Sequence, residues 1–520
     1  MKTFLGIELG STRIKAVLID QSGNPLASGN FEWENRFENN VWTYHLDDVW
    51  LGLQTSYKEL VFDYEKTNSK PMPEISGIGI SAMMHGYLPL DKNGNQLTEF
   101  YTWRNTITEK ESEKLTEAFN FRIPQRWSIA HLLRTVQGKE KHVESIDFLT
   151  TLAVYVHYKL TGEKVAGLGE ASGMFPIDSQ TGYYHAKMIE KFENLVTEFN
   201  LPWKLADILP KVLKAGENAG SLTEEGAKLL DPTGKLKSGI PFCPPEGDAA
   251  TGMVATNTVA PKTGNISAGT SIFAMLVLDK PLSKLYKDVD IAASPTGKPA
   301  ALVHCNNCTS DVDAWVSLFG EMLTQMNVST DKTLLYKTLY NAALNGETDC
   351  GGLVSINYIS GEYRTGFSEG RPLFVRTPDS KFTLENFMRS LLLSSIATFS
   401  IGIKPLLEEE GLNFSKLLGH GGLFKTPIVG QKLMAGALNL PIAVMSSAAE
   451  GGAWGIALLA AYSTAKEPDE TLEEFLENKI FKNVKVTTIN PNQNDVDGFE
   501  KYLKRYKSAL EIERTAVDVM

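Results

Sequence analysis

The first thirty residues alternate between apolar runs and short polar turns in a pattern that predicts strands. Residues 4–9 and 13–20 are apolar runs that flank the triplet Gly-Ser-Thr, and a third run, 25–33, follows a Ser-Gly-Asn-Pro turn. Because turns this tight join neighbouring antiparallel strands, the three runs are predicted to form a meander at one edge of a sheet.

Helix and strand patterns alternate after this meander. Apolar side chains recur near helical spacing over residues 46–64, and residues 75–81 form a short apolar run with the length of a buried strand. Alternating strands and helices are typical of α/β folds, in which helices cover a mostly parallel or mixed sheet. We therefore expect an α/β fold.

A second strand–turn–strand pattern occupies residues 263–278, where apolar runs flank Gly269, Thr270 and Ser271. Turns of Gly with Thr or Ser are common, so this resemblance to the first pattern leaves both a duplicated fold and a coincidence open. One hydrophobic core rarely exceeds roughly 250–300 residues. The 520 residues therefore predict two large domains, residues 1–256 and residues 257–520.

Composition narrows the class of protein. The net charge of −11 argues against broad binding to nucleic acid or to anionic membranes. The first ten residues lack the pattern of a secretory signal, and the longest obvious apolar run, 453–462, is too short to span a membrane and fits a buried core helix. With only four cysteines, a reducing, cytoplasmic location is expected.

One cysteine pair has CxxC spacing, at Cys305 and Cys308. A zinc site would need a second ligand pair at similar spacing, and the sequence offers only the adjacent His304. Two small thiols in a packed segment is the favoured interpretation over a metal or redox site.

The two Gly-hydroxyl turns are suited to binding phosphate, although the P-loop motif GxxxxGK[ST] is absent. The first phosphate loop, residues 10–15, offers Gly10, Ser11, Thr12 and Lys15, and the second, residues 269–271, offers Gly269, Thr270 and Ser271. Glu8, an acid two residues before the first loop, looks misplaced beside an anion site.

Asp248 lies where a Pro- and Gly-containing segment meets an Ala-rich segment that is predicted to be helical. An acid at such a turn can face a cleft and act as a base, or it can simply cap the helix. The local pattern leaves both roles open. The nearby run of residues 77–82 resembles a GxGxxA dinucleotide fingerprint only weakly, because no convincing helix follows it.

Taken together, these segments resemble the FGGY carbohydrate kinases, a family of the actin-like, ribonuclease-H-like ATPase superfamily, over nearly the whole chain. Each motif alone is weak, but their order and spacing are specific. The matching segments are Glu8 to Lys15, Met84-His85-Gly86, residues 219–252 with Gly247-Asp248, the SAGTS run at 267–271, residues 358–364, Gly421-Gly422, Gln431, and Glu450 to Gly455.

The resemblance implies two ribonuclease-H-like domains with an interdomain cleft, the first carrying the sugar site and the second the adenosine site. It implies transfer of the γ-phosphoryl group of ATP to a sugar hydroxyl, with Asp248 as general base and Mg²⁺ held by Glu8 and Asp248. Phosphate and nucleotide contacts are implied for both loops, Gly421, Gly422 and Gln431.

For the sugar, the resemblance implies contacts from Met84, His85, Trp103, Asn105 and Asp248. Asn105 stands where many members have Asp, Ile107 where they have Arg, and Ala249 where xylulokinases commonly have Asn; Glu8 replaces the usual Asp. D-xylulose is the first candidate because of Met84-His85, with L-ribulose next and L-fuculose or another ketose after it.

Other classes of function stay open. A non-catalytic nucleotide switch or sugar sensor has the same fold, and the Glu8 and Trp103-loop changes keep this alternative alive. An oxidoreductase lacks a convincing dinucleotide site. No surface stripe in the sequence commits the chain to an oligomer, although the family resemblance makes a homodimer an open expectation.

Overall fold

The computed structural model describes residues 2–445 and 451–520, so Glu450 of the predicted adenosine segment lies outside the described residues. The chain divides into two compact units, each built from several segments. Unit 1 comprises residues 1–261, 279–300 and 449–483, and unit 2 comprises 262–278, 301–448 and 484–520. The predicted boundary at residue 256 lies near residue 261, where the chain first passes from unit 1 to unit 2. The prediction had two continuous domains, whereas residues 279–300 and 449–483 return to unit 1.

Strands and helices alternate in both units, as expected for an α/β fold. The strands are β1 Thr3–Leu9, β2 Arg13–Asp20, β3 Pro25–Glu32, β4 Arg36–Glu38, β5 Val41–Thr43, β6 Ile75–Ala82, β7 Leu88–Leu90, β8 Phe148–Thr150, β9 Val165–Gly167, β10 Ile177–Asp178, β11 Tyr183–Tyr184, β12 Lys211–Leu213, β13 Glu246–Gly247, β14 Thr263–Ala268, β15 Ile272–Val277, β16 Asp290–Ala293, β17 Pro299–Cys305, β18 Val354–Ile356, β19 Leu373–Val375, β20 Lys416–His420, β21 Ile442–Met445 and β22 Val486–Ile489.

The α-helices range from single turns to 27 residues. They are α1 Leu46–Asn68, α2 Glu109–Phe119, α3 Ser128–Gln137, α4 Leu152–Thr161, α5 Leu168–Ser172, α6 Ala186–Val196, α7 Leu205–Ile208, α8 Glu224–Leu230, α9 Asp248–Ala255, α10 Ser310–Gln325, α11 Lys332–Ala342, α12 Leu384–Glu408, α13 Val429–Leu438, α14 Gly452–Ala465, α15 Leu472–Phe475 and α16 Gln493–Val519.

The main sheet of unit 1 has the strand order β13-β6-β1-β2-β3. β1 pairs antiparallel with β2, and β2 pairs antiparallel with β3, which confirms the predicted meander. β6 lies parallel to β1 on its other side, and β13 lies parallel to β6. The carboxyl ends of β1, β6 and β13 therefore meet at one edge, which brings the residues that follow them together.

Helix α14 packs against this sheet at positions where the strands carry glycine. A Cβ at Gly6 would lie 2.0 Å from the carbonyl oxygen of Ala453, and one at Gly79 would lie 2.6 Å from Cγ1 of Ile456. Only glycine allows this close approach of helix and strand. The contact brings the start of α14 next to the carboxyl end of β1. This helix contains the apolar run that the sequence assigned to the core, and that prediction is confirmed.

Unit 2 repeats the same local topology. β14 pairs antiparallel with β15 and parallel with β20, and β21 lies parallel to β20. The antiparallel hairpin with a parallel neighbour matches β1, β2 and β6 of unit 1, in agreement with a duplicated fold. The second phosphate loop connects β14 to β15, as the first connects β1 to β2.

Helix α12 is long and apolar enough to cross a membrane by length and composition, contrary to our expectation that no segment of the chain is. However, 78% of its most apolar window is buried inside the protein. It packs against α11, α13, α16 and β18 of unit 2. These contacts make it a core helix.

We predict that His131 makes unit 1 less stable in acid. Its ring is fully buried on α3, and burial lowers its pKa to about 3. Because the unfolded chain titrates near pH 6.5, the folded state loses about 1.4 kcal/mol of stability from this residue per pH unit as the pH falls below 6.5. His131→Leu should flatten the plot of unfolding free energy against pH by this slope, measured by urea titration between pH 7 and 5. Parallel curves for parent and variant would contradict the prediction.

Candidate active site

The first phosphate loop is supported from behind by two buried aromatic side chains. The indole N–H of Trp33 donates to the carbonyl oxygen of Gly10 at 2.7 Å. The hydroxyl of Tyr44 donates to the backbone carbonyl oxygen of Ser11 at 2.6 Å. In a planar trans peptide the N–H points opposite to the C=O. The N–H groups of Ser11 and Thr12 are therefore turned away from the aromatic support, toward the exposed side, as an anion site requires.

Glu8 lies near the carboxyl end of β1, in register with Lys15 on β2. Its Oε2 accepts a hydrogen bond from the backbone N–H of Ala453 at 3.2 Å. A Cβ at Gly452 would lie 2.2 Å from Oε1, so a larger residue there would displace the carboxylate of Glu8. The family resemblance implies that this glycine-rich segment lies near adenosine, and in the structure Gly452 and Ala453 pack against Glu8.

Asp248 is the first residue of α9 and follows directly on β13. Its Oδ1 accepts hydrogen bonds from the backbone N–H groups of Ala249 at 2.9 Å and Met84 at 3.3 Å. The contact with Met84 is one that a simple helix cap does not need. The residue keeps an exposed surface, yet the surrounding protein desolvates the carboxylate and raises its pKa.

The carboxylates of Glu8 and Asp248 interact with each other. Burial, followed by the charge of Asp248, raises the pKa of Glu8 to about 7. Oxygen donors of this kind suit Mg²⁺, which usually takes one or two carboxylates and fills its shell with phosphate oxygens and water. Among the described residues, no group of three or more Asp, Glu, His or Cys side chains gathers into a complete metal site. The pair therefore fits an ion that arrives with a phosphate ligand.

His85 follows β6 and adopts a φ of 73°, an uncommon conformation for a residue with a side chain. The ring stacks on Trp127 with centroids 6.3 Å apart, and Nδ1 is 3.3 Å from the carbonyl oxygen of Gly173. Burial, with Arg126 nearby, lowers the pKa of His85 to about 3. A neutral ring that donates from Nδ1 leaves Nε2 as an acceptor, which suits a hydroxyl group.

Asn105 makes structural contacts with its own loop and with β5, and its predicted contact with the sugar stays a prediction. Its Oδ1 accepts from the backbone N–H of Trp42 at 2.8 Å, and its Nδ2 donates to the carbonyl oxygens of Trp42 at 2.8 Å and Thr102 at 3.1 Å. With its side chain 2% exposed and its polar atoms engaged, Asn105 holds the loop to β5. Trp103, by contrast, is 41% exposed and is available to a ligand.

Glu170 and Glu246 both carry buried carboxyl groups and are in contact, a pairing that the sequence pattern did not predict. The backbone N–H of Glu170 donates to Glu246 at 2.8 Å, and burial raises the pKa of Glu246 to about 8 and that of Glu170 well above its usual range. A Cβ at Gly247 would lie 2.6 Å from Oε2 of Glu170. No local pattern indicates that these two side chains meet, because they are 76 residues apart in the chain.

In unit 2 the second phosphate loop is held by the start of α10. The backbone N–H and Oγ1 of Thr309 both donate to the carbonyl oxygen of Gly269, at 3.0 and 2.9 Å. The N–H of Cys308 donates to the carbonyl oxygen of Thr270 at 2.9 Å. Ser271 is partly exposed at the end of the turn. The loop carbonyls therefore face the protein, as they do in the first loop.

Gly421 and Gly422 follow β20, the parallel neighbour of β14. Gly421 has a φ of 95°, and a Cβ there would lie 2.5 Å from the carbonyl oxygen of Ala268. A Cβ at Gly422 would lie 3.8 Å from Oγ1 of Thr309. The structure thus brings this glycine pair next to the second phosphate loop, as the prediction of a shared phosphate site requires.

Gln431 lies on helix α13 and contacts the backbone of two neighbouring strands. It is buried on α13, and its Nε2 donates to the carbonyl oxygens of Ile442 at 3.2 Å and Thr487 at 2.9 Å. Its amide N–H groups are thus used to tie α13 to strands β21 and β22. Its predicted contact with ATP stays a prediction.

The comparisons with known proteins agree along the whole chain. A model for the N-terminal domain of the FGGY family of carbohydrate kinases matches residues 3–255, and one for the C-terminal domain matches residues 264–464. The xylulose kinase of Haemophilus influenzae is 22% identical over 524 residues, covering 98% of this chain and 99% of that protein.

Solved structures give the same fold. The xylulose kinase from Rhodospirillum rubrum superimposes with a TM-score of 0.78 at 17% identity, covering 98% of each chain. The gluconate kinase from Lactobacillus acidophilus superimposes with a TM-score of 0.77 at 17% identity, covering 100% of this chain and 98% of that one.

Proposed function

The chain belongs to the FGGY family of carbohydrate kinases, and from this premise we propose that it transfers the γ-phosphoryl group of ATP to a hydroxyl of a ketose. A pentulose is the preferred acceptor, with D-xylulose first and L-ribulose or L-fuculose as alternatives. The similarity to xylulose kinases along the full length supports this order.

The observation that carries the proposal is the hydrogen bond from the backbone N–H of Met84 to Asp248, across 164 residues of the chain. Oδ1 of Asp248 is held by this N–H and by that of Ala249, and the residue keeps an exposed surface for a ligand. A carboxylate whose pKa is raised by its surroundings accepts a hydroxyl proton more readily than an ordinary one. Asp248 would take this proton as the hydroxyl oxygen attacks the γ-phosphorus.

The other groups bind and orient. Nε2 of His85 would accept a hydrogen bond from a second sugar hydroxyl, and the exposed ring of Trp103 would cover an apolar C–H face of the sugar. The N–H groups of Ser11 and Thr12, with Lys15, would hold phosphate oxygens. Gly269, Thr270, Ser271, Gly421 and Gly422 of unit 2 would contribute further nucleotide contacts. Phosphoryl transfer depends mainly on such positioning and charge stabilisation.

Glu8 and Asp248 would hold Mg²⁺, which neutralises charge on the phosphates when it is bound. This accounts for an acid beside an anion loop, because the cation removes the repulsion between carboxylate and phosphate. In this proposal the enzyme acts in the cytoplasm on a small-molecule substrate, and a homodimer is a further expectation.

The test is ADP release by the purified protein over a panel of D-xylulose, L-ribulose, L-fuculose, D-gluconate and glycerol, with ATP and Mg²⁺. We expect sugar-dependent turnover that is fastest with one pentulose. If gluconate or glycerol is phosphorylated fastest, that compound replaces the pentulose as the proposed acceptor. ATP binding without stimulation by any of these acceptors would favour the sensor alternative.

His85→Ala should raise the KM for the ketose about three- to tenfold with little change in kcat, because one hydrogen bond to the bound sugar is lost. The measurement is initial rate against sugar concentration. Since His85 has a positive φ, alanine also strains the backbone, so His85→Asn serves as a control that tolerates this conformation. An unchanged KM in both variants would make His85 a packing residue.

A further inference from the structure

Arg104 is stacked on an aromatic ring. Its Cζ lies 4.2 Å from the ring centroid of Trp42 and 5.9 Å from that of Trp103. The residue is nevertheless exposed. A guanidinium held over an indole by a cation–π contact can still use its N–H groups to bind another ligand.

The loop that carries Arg104 is fixed to the support of the first phosphate loop. Asn105 clamps the backbone of Trp42 from both sides, and Tyr44, two residues after Trp42, donates its hydroxyl to the carbonyl oxygen of Ser11. Tyr44 also packs against Trp33, with ring centroids 4.3 Å apart and ring planes tilted by 31°. Arg104 is therefore joined to the phosphate loop through a short series of packed, buried groups.

The charge of Arg104 acts on Tyr44, which supports this loop. Burial raises the pKa of Tyr44 to about 12, and the positive charge of Arg104 opposes that rise. Within the part of the chain that the structure describes, Arg104 forms no ion pair with a carboxylate, whereas Arg13 pairs with Glu32 and Arg36 with Asp48. An exposed guanidinium that is held in place, has no carboxylate partner and is joined to the support of an anion loop indicates an anionic ligand.

We propose that Arg104 binds the phosphoryl group during and after its transfer to the sugar, through the outer edge of its guanidinium. The fork of N–H groups matches the oxygens of a phosphate, and two arms of the site then hold this group, the first phosphate loop on one side and Arg104 on the other. Trp42 and Asn105 are positioning residues for Arg104. This inference rests on the proposed function.

The experiment compares Arg104→Gln and Arg104→Lys with Arg36→Gln, an exposed arginine of unit 1 whose loss changes the net charge equally. Arg104→Gln should lower kcat about ten- to a hundredfold on whichever ketose the parent phosphorylates, with the KM for the sugar within threefold. Arg104→Lys should recover part of kcat, because it restores the charge without the fork. Arg36→Gln should match the parent.

Calorimetric titration with inorganic phosphate supplies a readout that does not depend on turnover. Arg104→Gln should weaken phosphate binding at least tenfold relative to the parent, while thermal unfolding stays within a few degrees. If the parent turns over no acceptor but Arg104→Gln still weakens phosphate binding, the proposed function is overturned and the Arg104 contact stands. Unchanged kcat and phosphate affinity in Arg104→Gln, or a parent that does not bind phosphate, would overturn the inference.

Discussion

Asp248→Asn should lower kcat about 10²–10⁴-fold, the range that a general base contributes. The amide keeps the size of the side chain, and its oxygen can still accept the N–H groups of Met84 and Ala249. It cannot accept the proton of the attacking hydroxyl. The measurement is coupled ADP release at saturating sugar and ATP, together with titration of ATP binding, which should change little.

Glu246→Gln is the matched control for this prediction. Glu246 lies two residues earlier, and burial raises its pKa to about 8, so it is protonated at neutral pH and the amide changes no charge. This variant should keep its activity within severalfold. If Asp248→Asn kept most of the parent activity, Asp248 would be a helix cap and not the base.

Glu8→Gln should lower the rate at limiting Mg²⁺ by about 10- to 1000-fold, because it removes one of two carboxylates available to the ion. This range follows by analogy with the loss of one strong charge contact in an active site. High Mg²⁺ should restore part of the rate. Titration of activity against Mg²⁺ concentration at pH 7.5 measures this directly.

Glu8→Asp tests the length of the side chain. The shorter acid withdraws the carboxylate by about 1.5 Å, roughly one carbon–carbon bond. It also lengthens the contact with the N–H of Ala453, now 3.2 Å. We expect a higher Mg²⁺ requirement than in the parent. An unchanged requirement would mean that this length does not matter.

The pH dependence of the same titration gives an internal check. The pKa of Glu8 is raised to about 7, so its carboxyl binds a proton as the pH falls below 7 and competes with the metal. The Mg²⁺ concentration for half-maximal rate should therefore rise from pH 8 to pH 6. Glu8→Gln should remove this rise.

Much of the fold and half of the site were accessible from sequence. The meander, the second hairpin and the positions of both phosphate loops rest on apolar runs and turn residues that are contiguous in the chain. Asp248 was found because a helix start follows directly on a strand. Its choice between cap and base needed the hydrogen bond from Met84, which lies 164 residues away.

Two amide side chains have structural contacts that the sequence did not indicate. The family resemblance implied ligand contacts for Asn105 and Gln431, and because an amide both donates and accepts hydrogen bonds, it suits a ligand site and a structural clamp alike. Asn105 donates to the backbone of Trp42, 63 residues away in the chain, and Gln431 donates to the backbone of Thr487, 56 residues away. No local pattern reveals such partners, so only the folded chain distinguishes the two roles.

The sequence by itself determined the order of elements, the two glycine–hydroxyl turns and the family. These follow from short-range forces: the periodicity of apolar side chains and the backbone freedom of glycine. Only the tertiary structure decided what Glu8 touches, since the N–H of Ala453 comes from 445 residues further along the chain. Likewise, the contact of Arg104 with the ring of Trp42 depends on a loop meeting strand β5. Packing brings distant backbone and charge together, and at such contacts the pKa values and hydrogen bonds of the site are set.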